Sequence, residues 1–455
     1  MTDSDRQPGI LWRPDVPFAP NRLPFFYGWV IVVGSTLGVL GSLPGQTVGV
    51  SVFTERLMAD LGLTRNQVSS AYLVGTLISG LLLPAGGALF DKLGARRMIV
   101  LSAGGLALIC AGFGLSPRIL AGLNTLPLVN WMPPVTVALL LSTLGFFLIR
   151  FFGQGLLTMT ARSMMGKWWH ERRGLVVALS GTTVSGLFSF GPLTLEWLIQ
   201  RFGWQGAYGV IGAALACLAV FGYLLFRDNP EECGLVMDGG WQPKQDRKPN
   251  SDLVIVRDFS RREALRTFPF WIYSLSLATT GLYATGYTFH ILDIGESVEL
   301  GKDILKIFVP SGIVSIISGA FLGWISDRIR LRWVLLASNL SLILAPTGLL
   351  LMPHPAGIGL VILGAGIGGG AFMTLSSTVW PRYFGRRQLG GITSVFMSLS
   401  VIFSALGPFL FALSRSLTGT YASVFVGTII AALTLAALSL FAHNPQRKLA
   451  EAEGL

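Results

Sequence analysis

Apolar residues in this chain gather into long runs, separated by short polar stretches at near-regular intervals. A bilayer core about 30 Å thick takes ~20 mostly apolar residues to cross as a helix. Twelve runs reach that length: 27–52, 67–90, 97–115, 138–166, 174–198, 206–226, 268–291, 304–326, 332–351, 357–380, 389–413 and 421–442. The polar stretch 227–267 divides them six and six. The pattern therefore predicts an all-α membrane protein with twelve transmembrane helices in two pseudo-symmetric six-helix bundles. The expected divisions are a tail (1–26), a first bundle (27–226), a linker (227–267), a second bundle (268–442) and a second tail (443–455). Within the linker, 260–267 reads as a short amphipathic helix along the membrane surface.

Composition agrees. Only 13% of residues are charged and 52% are hydrophobic, against about 25% charged in soluble domains. The net charge of +11 comes from Lys and Arg scattered between apolar runs, which suits a membrane protein better than a nucleic-acid binder. The loops alternate in charge. Those on the side of the tails, with the inner end of span 4 (Arg162), hold 26 Lys and Arg, and the opposite loops hold 6. By the positive-inside tendency, both termini are expected in the cytoplasm of a cell whose plasma membrane (for a bacterium, the inner membrane) holds the chain. The first 24 residues contain no apolar signal-peptide core. The three cysteines show no metal or disulfide spacing.

The halves repeat each other. Gly87, Asp91, Lys92, Gly94, Arg96 and Arg97 in the 2–3 loop are echoed by Gly323, Asp327 and Arg328 in the 8–9 loop, 236 residues on. The segment from Lys167 to Arg173 is matched from Arg382 to Arg387 at an offset of about 215. Internal repeats are frequent in transporter folds. The drop in offset places about 21 extra residues in the first half, and 116–137 fits as an elaborated loop with a short helix of its own.

The 2–3 loop resembles the GxxxD(R/K)xGxRR signature of the major facilitator superfamily, and the 8–9 loop its usual half-repeat. Arg150, Gly153, Gln154 and Gly155 resemble that family's second motif, and Gly191-Pro192 weakly echoes the antiporter motif. Phe26-Tyr27-Gly28-Trp29, Trp169 to Gly174, and Pro230-Glu231-Glu232 with Gly234 resemble the bacterial monocarboxylate and oxalate/formate branch. The resemblance implies a carrier that rocks about a central site. Asp91 and Asp327 would act as latches holding the inner face closed. Members of that branch usually hold a carboxylate with a basic residue in span 8 or 11, or a Lys in span 1. Here span 8 beyond Lys306, span 11 and span 1 carry no such charge.

Polar residues inside spans are costly and mark function. Arg150, with Gln154 one helical turn on, is a candidate for meeting an anionic substrate or a coupled proton. The alternative is an Arg that ties down carbonyls of a neighbouring helix. Pro44 breaks span 1, and Gln46 and Thr47 beside it are candidate substrate contacts. Span 7 places Tyr283, Tyr287 and His290 on one face, the tyrosines for stacking or hydrogen bonding and His290 for sensing an external proton. Tyr72, Thr76 and Ser79 form a similar face on span 2. Glu196 is expected to pair with Arg201. The glycine-rich stretch 364–370 lies inside span 10, where small residues permit close helix packing.

Three functions fit: a secondary transporter of a monocarboxylate or related organic anion, proton-coupled or exchanging; a carrier of a neutral, zwitterionic or amphiphilic solute, export included; and a membrane sensor of the same fold. No P-loop, H-E-x-x-H or G-x-S-x-G stands in a plausible setting, so neither an enzyme nor a cofactor is expected. The expected partners are a small solute, a proton and the bilayer, with the chain a monomer.

Overall fold

The computed structural model describes residues 12–127, 131–240 and 255–453. Among these, every regular element is helical. Ten helices are long and apolar enough to cross a membrane. In the first half these are span 1 (Gly28–Leu61), span 2 (Gln67–Leu93), span 3 (Ala95–Gly114), span 4 (Pro134–Trp168) and Gly191–Leu225. In the second half they are span 8 (Asp303–Ser326), span 9 (Leu331–Leu350), span 10 (Pro355–Phe384), span 11 (Leu389–Thr418) and span 12 (Ala422–Ser439).

Two further crossings complete twelve. Helix Arg173–Ser189 hands over at Phe190 to Gly191–Leu225, which itself bends at Gly203. Gly203 has φ of 70° and ψ of 163°, a backbone shape that only glycine adopts without strain. Span 5 therefore runs from Arg173 to that corner, and span 6 from the corner to Leu225. Span 7 is Phe268–Phe289, whose Ser, Thr and Tyr residues lower its apolar character. Polar content of this kind is expected of a helix that faces a cavity rather than lipid.

Local rules explain the ends. Thr64 and Gln67 form a capping box at the start of span 2, and Ser260 and Glu263 form another at Arg261–Leu265. The latter is the short linker helix the sequence predicts. Its Glu263 is held down to about 2 by the Ser260 and Arg257 hydrogen bonds. The extra residues of the first half contain the helix Ser116–Asn124, directly after span 3. Positions 128–130 of that segment lie outside the described residues.

Between the halves, span 2 packs on span 11, span 5 on span 8, and span 4 on spans 10 and 11. Glycines set these approaches. A Cβ at Gly87 would strike Gly390 and Ser394, and one at Gly323 would strike Ala178 and Gly174. Within the second half, the glycine stretch of span 10 packs as the sequence suggests: Gly364 on Ala345, Gly366 on Val314 and Gly370 on Gly319.

Candidate functional site

A cavity of about 600 Å³ lies between the two halves. Its walls come from spans 1, 4 and 5 on one side and spans 7, 8, 9 and 10 on the other. Small-molecule sites commonly enclose some 300–1,000 Å³. Polar side chains reach it from both halves: Gln46, Thr158 and Arg162 from the first, Thr280, Thr285 and Thr288 from span 7.

Span 1 is broken as Pro44 predicts. Helix Gly28–Gly41 gives way to a tight turn at Leu43–Gly45, and the helix resumes at Thr47. The break sorts the two candidates beside it. Gln46 lines the cavity, donating to Ser42 Oγ at 2.9 Å and Thr158 Oγ1 at 3.5 Å. Thr47 faces the other way and receives the Tyr72 hydroxyl at 3.0 Å.

Arg150 serves that break. It is 1% exposed. Its Nη1 donates to the Gly45 carbonyl at 3.1 Å and Thr47 Oγ1 at 3.4 Å, and its guanidinium lies 5.3 Å from the Tyr72 ring. Proline interrupts the helical hydrogen-bond ladder, and Arg150 caps the Gly45 carbonyl within the break. It is not among the cavity-lining residues. Nor is Gln154, whose Oε1 is buried without a partner among the described residues. From Arg150 to Leu157 the helix widens into a π turn. A widened turn changes which residues share a face and is frequent at functional sites.

Past that turn comes a residue the sequence reading counted only as an inner-end charge. Arg162 lines the cavity and is half-buried. Its Nη1 donates to Ser376 Oγ at 3.0 Å, and Nη2 meets Met373 Sδ at 3.7 Å. No carboxylate among the described residues pairs with it, and no acidic side chain lines the cavity. Span 4 continues to Trp168, six residues beyond Arg162, so the guanidinium stem starts ~9 Å inside the helix. Thr158 and Arg162, four residues apart and both on the cavity, were the available signal.

Tyr283 and Tyr287 also line the cavity. Their rings stack 5.9 Å apart and 6° from parallel, and neither hydroxyl has a partner among the described residues. The third member of that face departs from them. His290 ends span 7, with Nε2 3.0 Å from the Pro408 carbonyl and Nδ1 3.3 Å from the Tyr421 hydroxyl. Tyr421 donates in turn to Asp293, which Arg415 approaches at 3.4 Å. His290 thus belongs to a polar cluster at the face away from the termini. Glu196 pairs with Arg56 at 2.7 Å rather than with Arg201, because span 1 continues as a helix far enough to bring Arg56 alongside.

At the terminal face the repeat motifs meet. Asp91 accepts from Gly390 N at 2.8 Å and Gly391 N at 2.6 Å, at the start of span 11. Asp327 accepts from Gly174 N at 3.0 Å and Leu175 N at 3.2 Å, at the start of span 5. Each carboxylate therefore sits on a helix N-terminus of the opposite half, where free N–H groups and the helix dipole favour an anion. Behind Asp327 stands the fully buried Arg382 at 2.6 Å. Lys167, its partner in the repeat, supplies positive charge near Asp91. Burial pushes the Asp327 carboxyl up, against Arg382.

The remaining motif residues do other work. Gly94 turns span 2 into span 3 at φ of 80°. Arg96 reaches away from the latch, donating to the Arg13 carbonyl at 2.9 Å and the Val16 carbonyl at 2.6 Å. Arg97 lies over Trp12 at 5.2 Å and Arg328 over Trp324 at 3.8 Å. Lys92 is exposed.

The model of the Major Facilitator Superfamily matches residues 35–408 and 311–455. The chain belongs to the major facilitator superfamily. It is therefore a multi-pass membrane protein of a family that moves small solutes. Among individual relatives, the chain is 25% identical to YhjX of Escherichia coli K12, an uncharacterised transporter of this type, over 69% of this chain and 70% of YhjX. It is 27% identical to human monocarboxylate transporter 2 over 48% of this chain and 42% of that protein. In fold it resembles a bacterial ferroportin homologue (TM-score 0.65, 15% identity, covering 92% and 99% of the two chains). It also resembles the human organic anion transporter MFSD10 (0.59, 16%, 92% and 100%).

Proposed function

We propose that this major facilitator protein is a secondary transporter of a small organic monoanion, a monocarboxylate in the first instance. The observation that carries the reading is Arg162. A guanidinium at membrane depth with only a hydroxyl and a thioether for partners lacks its counter-charge, and buried charge is stable when paired. A carboxylate entering the cavity supplies the pair and a charge-assisted hydrogen bond. The similarity to monocarboxylate transporter 2 points the same way. The missing bases of spans 1, 8 and 11 are replaced, on this reading, by one on span 4.

Transport proceeds by alternating access. Asp91 and Asp327 seal the terminal face, so the cavity is reached from the opposite face. The charge bias of the loops supports a cytoplasmic terminal face, and a plasma membrane is the membrane proposed. Substrate on Arg162 neutralises the cavity, the two carboxylates leave their helix N-termini, and the halves rock. The chain works as a monomer, with proton coupling or exchange supplying the driving force.

The test is uptake into proteoliposomes of labelled lactate, pyruvate and benzoate beside labelled sugars and amino acids, with and without an inward proton gradient. Saturable uptake or exchange of carboxylates alone is the expected result. Transport of neutral solutes with every carboxylate refused would overturn the reading.

A further inference from the structure

The residues inserted between spans 3 and 4 take no part in lining the solute cavity, and the repeat shows what they change. At the offset of 236, Gly112 of span 3 corresponds to Gly348 of span 9. In the second half only residues 351–354 join spans 9 and 10, and the two helices close up. A Cβ at Gly348 would strike the Gly357 carbonyl and Val361. In the first half the same position is open: a Cβ at Gly112 would meet nothing within 4 Å.

This opening is part of a groove of about 260 Å³. Gly112 and Phe113 of span 3, Leu144 and Leu148 of span 4, and Leu57 and Leu61 of span 1 line it. It follows span 4 from Leu141 to Leu148, ~10 Å along the helix. Two of its lining residues, Leu108 and Leu144, are exposed on the outside of a membrane-spanning bundle, so the groove opens to lipid. The inserted helix Ser116–Asn124 packs on spans 1, 3 and 4 and roofs the groove, with Ser116 and Ile119 in its lining.

Arg118 stands beside Ile119, about 3.8 Å away along the backbone. It is the only charged residue between 116 and 137, and it is exposed. It pairs with no carboxylate among the described residues. Asp60, next to Leu61, accepts instead from Trp204 Nε1 at 2.8 Å. An apolar slot open to the bilayer, with a free cation on its roof, matches the two parts of a phospholipid. We propose that the groove holds an acyl chain of an anionic phospholipid from the leaflet at the face away from the termini, with the headgroup phosphate on Arg118. A guanidinium suits phosphate by its paired N–H groups. A headgroup with an ammonium of its own gains less here, because the insertion offers a cation and no acid. The lipid fills in this half the space that span 10 fills in the other.

Native mass spectrometry of the full-length protein in detergent tests this with phosphatidylglycerol, phosphatidylcholine and diacylglycerol of identical chains. Wild type should retain one phosphatidylglycerol about fivefold more tightly than phosphatidylcholine, the effect of one cation at the membrane surface. Arg118→Gln should bring the two lipids level. Gly112→Leu, which the open space at that Cβ accommodates, should fill the groove and weaken retention of both. Leu144→Trp, at an exposed lining position, replaces it if Gly112→Leu does not fold. Retention of phosphatidylglycerol unchanged by a groove-filling variant, or no preference over phosphatidylcholine in wild type, overturns the proposal. Diacylglycerol held as tightly as phosphatidylglycerol would reveal an apolar cleft without a headgroup site and overturn it equally.

Discussion

At the scale of single residues, the two arginines of span 4 stand in different settings: Arg150 inside the fold and Arg162 on the cavity, where the proposed function assigns it the solute. Arg150 holds the span-1 break together through the Gly45 carbonyl and the Tyr72 ring. Replacing it with Met strands those groups, at about 1–3 kcal/mol for a buried polar group left unpaired. Arg150→Met should therefore lower the thermal unfolding midpoint and leave the KM of whatever protein still folds close to wild type. A large rise in KM at unchanged stability would put Arg150 in the substrate path instead. His170 makes a second prediction at this scale. It lies at the terminal face with Glu171 at 3.7 Å, Asp238 and Asp327 nearby, and Arg173, Arg382 and Arg386 around it. Burial first, and those three arginines next, push the imidazole down to about 3. A depressed histidine leaves the closed face fully stable above its ordinary value of about 6.5, and the cost enters as pH falls from there toward 3. Two of the three arginines belong to the opposite half and withdraw when the face opens. Moving from pH 7.5 to 5.5 should then shift the balance toward the open terminal face by up to about tenfold, ~1.4 kcal/mol for the one pH unit below 6.5. Paired spin labels on spans 2 and 11 read this distance. Undiminished pH dependence in His170→Asn would remove His170 from the account.

At the scale of elements, the junctions between halves rest on glycine and aspartate together. Gly87 and Gly323 let spans 2 and 8 lie against spans 11 and 5, and four residues later Asp91 and Asp327 reach the N-termini beyond. Asp91→Asn keeps an acceptor and loses the charge. With about 1–2 kcal/mol for a carboxylate at a partly buried helix start, the terminal face should open roughly tenfold more often. Gly87→Leu should prevent close approach outright and leave that face open in the spin-label distances. An unchanged distance distribution in Gly87→Leu would show that the contact does not govern closure. Much of this was legible in the sequence. The repeat of Gly87, Asp91 and Lys167 by Gly323, Asp327 and Arg382 is a pattern of residue types, two identical and one of like charge, and residue types need no coordinates. What the two aspartates touch was not legible, because an N-terminus offered by the other half is a backbone feature brought near only by the packing of the bundles.

At the scale of the whole molecule, the alternation of apolar runs and basic loops carried the twelve-helix architecture, since lipid imposes length and apolarity on every crossing. Span 7 fell short of a purely apolar helix for the reason that makes it informative: it faces the cavity. The site itself was half legible. Gln46, Tyr283 and Tyr287 lie on the cavity as their helix faces suggest. Arg162 was masked by Lys167, Arg172 and Arg173 just beyond it, with which it reads as one basic cluster at the inner end of span 4, and Arg150 drew attention because charge in mid-span is rare whatever its purpose. Among the described residues Arg162 is the one charged group lining the cavity, and the proposed transport rests on it. The most direct measurement is saturable uptake of a labelled monocarboxylate by wild type, Arg162→Lys and Arg162→Gln reconstituted at equal density. Loss of a buried charge pair is worth about 2–5 kcal/mol, so Arg162→Gln should lose at least ~30-fold in kcat/KM, with Arg162→Lys intermediate. Wild-type uptake in Arg162→Gln would contradict the account.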